Sequence, residues 1–223
     1  HADQLMEAPR MLRQKYESLN NVPIGIDCNK YRLICILGGR TEICNIMKSL
    51  ITQIVTGYSY CEVKLVCLFD HQEGKKELAR MALKWFPHIW SDNGKVRFLD
   101  YNEGSTETVT YELCQIFKQR EVSLKEEQNK PKGQEVLHTH YVLLIDHYRR
   151  FLGETIAEYA LTKQKECGIT TILTAEHFEE LPTDSDLIIQ HDQKYHGCYS
   201  ISDSYESRQK VNFDEIDDQL FAD

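Results

Sequence analysis

Repeatedly along this chain a short apolar run gives way to a stretch with helical apolar period, and that alternation constrains the fold more than any other feature. Arg32 to Leu37 reads as a β-run, after which Ile43, Ile46, Met47, Leu50 and Ile54 recur on one helix face. Val63 to Phe69 reads as the next strand, and Leu78, Met81, Ala82 and Trp85 mark an amphipathic helix behind it. A short strand, Val96 to Leu99, leads to a third helix with Ser105 as N-cap, Glu107 in the first turn and Val109, Leu113, Ile116 and Phe117 as apolar stripe. Tyr141 to Ile145 is the most apolar strand, suited to burial on both faces of a parallel sheet. Ile156, Ala157, Ala160 and Leu161 form another helix face, closed by Gly168. Ile169 to Leu173 and Leu187 to Ile189 give two more strands, and Gly197 to Ile201 a hairpin partner at the edge.

The strand connections are far longer than hairpin turns. They predict an α/β fold, a mainly parallel sheet with helices on both faces joined by right-handed crossovers. Ligands in such sheets sit beyond the carboxyl ends of the strands, which directs attention to Gly38, Asp70, Asp100, Asp146 and Thr174. Ahead of the sheet, residues 5–18 read as a short helix interrupted by Pro9, and Val22 to Asp27 as extended. In segment 121–138, charges, Pro131 and Gly133 replace any apolar period, so a mobile loop is expected there.

Composition narrows the function. No uninterrupted apolar run exceeds five residues, the length of Leu33 to Leu37, far short of the roughly 18 residues of a membrane span. The formal charge is −9, of which Asp203 to Asp223 supply seven acids against Arg208 and Lys210, leaving only −4 on the preceding 202 residues. So balanced a body argues against double-stranded DNA as a direct partner. Eight cysteines contain no C-x-x-C pair, and Cys35 and Cys67 lie inside apolar runs, which reads as reduced cytosolic thiols. The chain opens on His1 and Ala2 with no initiator Met and no signal-peptide pattern, so it is expected to be a segment of a longer protein.

The first strand ends in Gly38-Gly39-Arg40-Thr41, where a phosphate-binding loop needs G-x-x-x-x-G-K-S/T to curl its N–H groups around the phosphates. Helical period resumes at Ile43, so the second Gly, the Lys and the Mg²⁺ hydroxyl are missing. The favoured reading is a tight strand-to-helix turn with Thr41 as N-cap. Arg40 beside a helix N-terminus keeps a weaker anion-binding reading open. Val142 to Asp146 has the form of a Walker B strand, four apolar residues and an acid, but His147 stands where a Glu polarises water in an active ATPase. His138 and His140, and His196 near Cys198, lack further ligands at metal spacing and read as surface histidines. No G-x-S-x-G elbow is present. Trp85-Phe86-Pro87-His88-Ile89-Trp90 reads either as a helix end with Trp85 on the core face, or as an aromatic docking surface carried by Trp90, which has no assigned core position.

Together these segments resemble the FtsK/SpoIIIE ATPase family and, more narrowly, the membrane-proximal ATPase-like domain of the type VII secretion motors EssC and EccC. The resemblance runs from about Tyr16 to Phe213. Asn21 to Asp27 is similar to the lead-in to that family's first core strand, and Leu33 to Gly39 to its P-loop strand and first Gly. Trp85 to His88 resembles the W-L-P-H segment of this particular domain, and Tyr141 to Phe151 its Walker B strand, with His147 in place of Glu. Cys167 to His177 resembles the G-I-H-L-I-L-A-T-Q-R strand, with Glu176 where the sensor Gln usually stands.

The resemblance implies a P-loop NTPase-like (RecA/FtsK-like) fold whose nucleotide site is degenerate. Residues 1–20 would be a lead-in from the membrane-anchor side, 21–202 the ATPase-like domain and 203–223 an acidic linker toward the next ATPase domain. The implied role is non-hydrolytic coupling of a membrane anchor to downstream ATPase domains during protein export, on the cytoplasmic side of the cell membrane. The implied partners are those domains, other secretion-system membrane subunits and a homo-oligomer of the full protein. No cofactor and no nucleic acid are expected, the membrane is reached only through the parent's transmembrane helices, and Trp85, Trp90 and Arg149 are the candidate interface residues. The alternative is an unconventional Mg-ATP-binding ATPase using Asp146 with His147 or Glu176, followed by a DNA translocase domain.

Overall fold

The structure is a computed structural model that describes residues 9–13, 22–69, 83–100, 105–127, 138–217 and 221. Strand β1 (Leu33–Gly38) is followed by helix α1 (Arg40–Gly57), and β2 (Val63–Leu68) by two short 3₁₀ turns. Then come α2 (Ser105–Glu127), β3 (His140–Asp146), α3 (Thr155–Leu161), α4 (Gln164–Cys167) and β4 (Ile169–Ala175). The chain closes with β5 (Leu187–His191), β6 (His196–Tyr199) and β7 (Gln209–Lys210). One sheet results, ordered β2-β3-β4-β1-β5-β6-β7, with the first five strands of the chain parallel and β6 and β7 antiparallel.

The apolar runs dictate this order. β1 and β4 are buried at every residue, as suits strands in the middle of a sheet covered on both faces. On one face α1 presents Ile43, Ile46, Met47 and Ile51 to the sheet. On the other, Val109, Leu113 and Phe117 of α2 and Ile156, Tyr159 and Ala160 of α3 do the same, with Tyr141 edge-on to Phe117 at 5.3 Å. Each fully buried side chain of this kind stabilises by about 1.5–3 kcal/mol.

Several expectations need correction. Val96 to Leu99 is no strand: Leu99 makes an isolated parallel bridge to Cys67, and Phe98 and Asp100 exchange backbone hydrogen bonds with Cys67, so the segment props the β2 edge by one residue. The expected loop at 121–138 begins too early, because α2 runs on to Glu127; 128–137 lie outside the described residues. Ser105 is inside α2 and is not its N-cap, since its hydroxyl is committed to Asp100. The helix read around Leu78, Met81 and Ala82 lies outside the described residues, while Trp85 closes a 3₁₀ turn. In the stretch read as an acidic linker, β7 pairs with β6, Phe213, Ile216 and Phe221 pack on the α1 face, and the Lys48 ammonium donates to the Ile216 carbonyl. Apolar residues spaced between those acids hold it to the body.

At the amino end of the sheet His140 is no surface histidine. Its Nε2 lies 2.9 Å from the Thr170 hydroxyl, which donates to the Cys28 carbonyl. Burial first, then the Arg32 and Arg120 charges, push its pKa down to about 4. The folded state therefore binds fewer protons than the unfolded chain between about 6.5 and 4. Stability from this group is complete above pH 6.5 and is lost as pH falls toward 4, a difference of about 3 kcal/mol. Urea unfolding at pH 7 and pH 4.5 should show a smaller loss in His140→Gln than in the parent; equal losses would contradict this assignment.

Candidate functional site

At the carboxyl end of the central strands, β1 hands the chain to α1 through a single residue. Gly38 is still in the sheet, paired with His191, and Gly39 is the N-cap, with no side-chain cap bond. Thr41 is thus the second residue of α1 and not its N-cap. The connection is shorter than the sequence suggested, because the helix takes up Arg40 and Thr41. A Cβ on Gly38 would strike the His191 carbonyl oxygen, so this glycine serves the close approach of β1 and β5.

Three further contacts close the space a triphosphate would need. The Glu42 carboxylate folds back toward the start of α1, its Oε2 2.5 Å from where a Gly39 Cβ would sit. It brings negative charge to the position where a helix N-terminus attracts an anion. The Arg40 guanidinium Nη1 lies 3.4 Å from Asp146 Oδ2. The Thr174 hydroxyl donates to Asp146 Oδ1 at 2.6 Å. Both oxygens of the Walker B-like acid, itself buried at the end of β3, are therefore engaged. The remaining cavity among Arg40, Asp146, His147, Thr174 and Glu176 is about 30 Å³. That holds one or two waters, against about 300–1,000 Å³ for a small-molecule pocket.

His147 has φ 48° and ψ 53°, the only non-glycine with positive φ among the described residues. That left-handed turn sends its imidazole outward, 55% exposed, with Nε2 3.9 Å from Asp146 Oδ1. Glu176 is also exposed, at the mouth of the same cavity, with its N–H donating to Glu180. The residues do not fit Mg-ATP: no loop of N–H groups surrounds the phosphate position, a carboxylate stands there, and Asp146 is already partnered.

The structure separates the three interface candidates. Trp85 points outward, 71% exposed, so its expected core position is wrong; Leu83 takes that place. Trp90 does have a packed position, half-buried against the α1-face core with the Arg97 guanidinium 4.4 Å from its ring centroid. Arg149 is exposed and donates to the Glu179 carbonyl at 2.6 Å. Among the described residues no group of three or more His, Cys, Asp or Glu is placed to hold a metal ion, and no helix is long and apolar enough to cross a membrane.

Sequence reading missed two features. Glu42 carried a signal, since an acid at the third helical position after the cap is a recognised helix-start pattern. Asp100 itself was marked only by its place after the expected strand, and nothing in the sequence pointed to its partners. This carboxylate, 1% exposed, accepts from the hydroxyls of Ser105 (2.7 Å) and Thr106 (2.6 Å) and lies 3.6 Å from Arg150, which also donates to the Phe69 carbonyl. It ties the β2 edge, α2 and the turn after β3 together.

No protein-family model matches the chain. Curated relatives do. The ESX secretion system protein EccC of Geobacillus thermodenitrificans is 25% identical over 189 residues, 85% of this chain and 12% of that protein. The ESX secretion system protein YukB of Bacillus subtilis is 25% identical over 196 residues, 87% of this chain and 12% of that protein. Over most of its length the chain is thus similar to EssC/EccC-type secretion proteins. It spans about an eighth of the length of these relatives. Solved structures share the fold: Thermomonospora curvata EccC (ATPases 2 and 3) with a signal sequence peptide superposes with a TM-score of 0.54 at 18% identity, covering 76% of this chain and 33% of that one. EssC (ATPases 2 and 3) from Geobacillus thermodenitrificans gives 0.51 at 15% identity, covering 72% and 32%.

Proposed function

We propose that this domain is a degenerate, non-hydrolytic member of the ATPase series in a type VII secretion motor. It would be the one nearest the membrane, coupling a membrane anchor to downstream ATPase domains during protein export. The carrying observation is the closed turn: Gly38 wedged on β5, Glu42 at the α1 start, and Asp146 held by Arg40 and Thr174. A phosphate charge about 4 Å from the Glu42 carboxylate would be repelled by about 1–4 kcal/mol, depending on local screening. The working site is the cytoplasmic side of the membrane, and the partners are the other domains of the parent chain and further secretion subunits.

Calorimetric titration with ATP, with and without Mg²⁺, together with a phosphate-release assay tests this reading. The expected result is no Mg²⁺-dependent heat and no turnover. Micromolar Mg²⁺-dependent binding with turnover abolished by Asp146→Ala would instead establish the unconventional ATPase, whose one supporting observation is the His147 imidazole beside Asp146. Partner contact is assigned to Trp85. Trp85→Ala should leave unfolding free energy within about 0.5 kcal/mol and weaken association with the adjacent domains by at least about fivefold, measured by titrating them onto the variant. Unchanged association would remove Trp85 from the interface. Trp90→Ala is expected to lower stability as well, since its ring packs on the core.

A further inference from the structure

Beyond β7 the chain makes no further strand among the described residues, yet it is held to the body at three points. The Phe213 ring stacks on His191 at 4.7 Å and 23°. The Ile216 carbonyl accepts from the ammonium of Lys48, a buried lysine on α1. Phe221 is buried, its ring edge-on to Phe86 at 6.2 Å. Between these points Asp214, Glu215 and Asp217 are exposed. A segment fastened by a few side chains, with no ladder of backbone hydrogen bonds, opens at a lower free energy than the sheet beneath it. It behaves as a strap with two states, docked and released.

The last fastening lies beside the exposed Trp85. The 3₁₀ turn that carries this indole is closed by the Phe86 N–H donating to the Leu83 carbonyl, with Leu83 wholly buried and Phe86 half-buried. The next turn is tied to the end of α1, where His88 Nε2 lies 2.9 Å from the Tyr58 carbonyl. Release of the strap would take the Phe221 ring from Phe86 and leave the two turns on Leu83, His88 and the core behind them. We propose that the strap sets the Trp85 surface: docked, Phe221 holds Phe86 and with it the turn that presents the indole, and release loosens that turn. By linkage, a partner that binds the held form of Trp85 tightens the strap. Phe221 and Lys48 are then positioning residues that act through Phe86. As control over a partner the proposal rests on Trp85 being the contact; the coupling of strap to turn does not.

NMR-detected hydrogen exchange on the whole chain tests it at the Phe86, Ile89 and Trp90 amides, whose bonds close the two turns. Phe221→Ala and Lys48→Met loosen different fastenings, and neither alters a residue of the turns. Each should speed exchange at those three amides at least about fivefold more than at Leu143 and Ile172 in the sheet, a factor at the low end of couplings between sites. Phe221→Leu, which keeps an apolar side chain there, should restore most of the slow exchange. Equal acceleration in turn and sheet would report only a general loss of stability and would overturn the proposal. Exchange unchanged by both substitutions would overturn it too, and so would an effect of Phe221→Ala alone, which reduces the strap to one local contact. The partner arm is separate: with the adjacent domains titrated on, Phe221→Ala should weaken association at least about threefold. Faster turn exchange with unchanged association would uphold the coupling and remove Trp85 from the interface.

Discussion

Replacing Gly38 with alanine should cost the fold at least about 3 kcal/mol, the upper end of what overpacking a filled interior does. The added methyl would meet the His191 backbone carbonyl, and backbone of a strand paired on both sides, to β1 and to β6, cannot step aside as a side chain can. Gly39→Ala meets only the end of the Glu42 side chain and should cost less than about 1 kcal/mol, since a side chain can rotate away at little expense. Urea unfolding of the two variants decides the point. A glycine retained to let backbone approach a phosphate would show wild-type stability on Gly38→Ala, and that outcome would contradict the structural role assigned to it.

The second large effect is expected at Asp100. Asp100→Ala should destabilise by about 3–5 kcal/mol, because it leaves Arg150 without its buried counter-charge and strands the Ser105 and Thr106 hydroxyls. Asp100→Asn keeps the shape and one acceptor, and should lose less. Thermal and urea unfolding of both variants measure this; a loss under about 1 kcal/mol for Asp100→Ala would mean that the segment before α2 is not fastened through this carboxylate.

β1 to β5 were legible in the sequence because each is an apolar run whose burial on both sides leaves one solution, a covered parallel sheet, whereas β7, two exposed polar residues, was not. β3 and β4 came out within two residues of their expected bounds. The departure from G-x-x-x-x-G-K-S/T after β1 is a matter of residue count and is read directly from the sequence. What occupies that place is not. Glu42 folding back and Arg40 reaching Asp146 depend on rotamers that no spacing encodes. The burial of Trp85 and Trp90 was read the wrong way round for a related reason: the 3₁₀ turns rotate successive residues by about 120° instead of 100°, so a helical-face argument carried through Pro87 puts the wrong ring inside. The packed tail was hidden by its acids, because Phe213, Ile216 and Phe221 are too sparse to register as a periodic segment.

A crystal structure of the domain grown with saturating Mg²⁺ and a non-hydrolysable ATP analogue puts the closed turn to the most direct test. The expected map shows Arg40 still on Asp146, the Thr174 hydroxyl still donating to it, and the Glu42 carboxylate at the start of α1 with no phosphate beside Gly39. Triphosphate density against the Gly39 and Arg40 N–H groups, with Mg²⁺ bound through Asp146 and Glu42 swung aside, would contradict it.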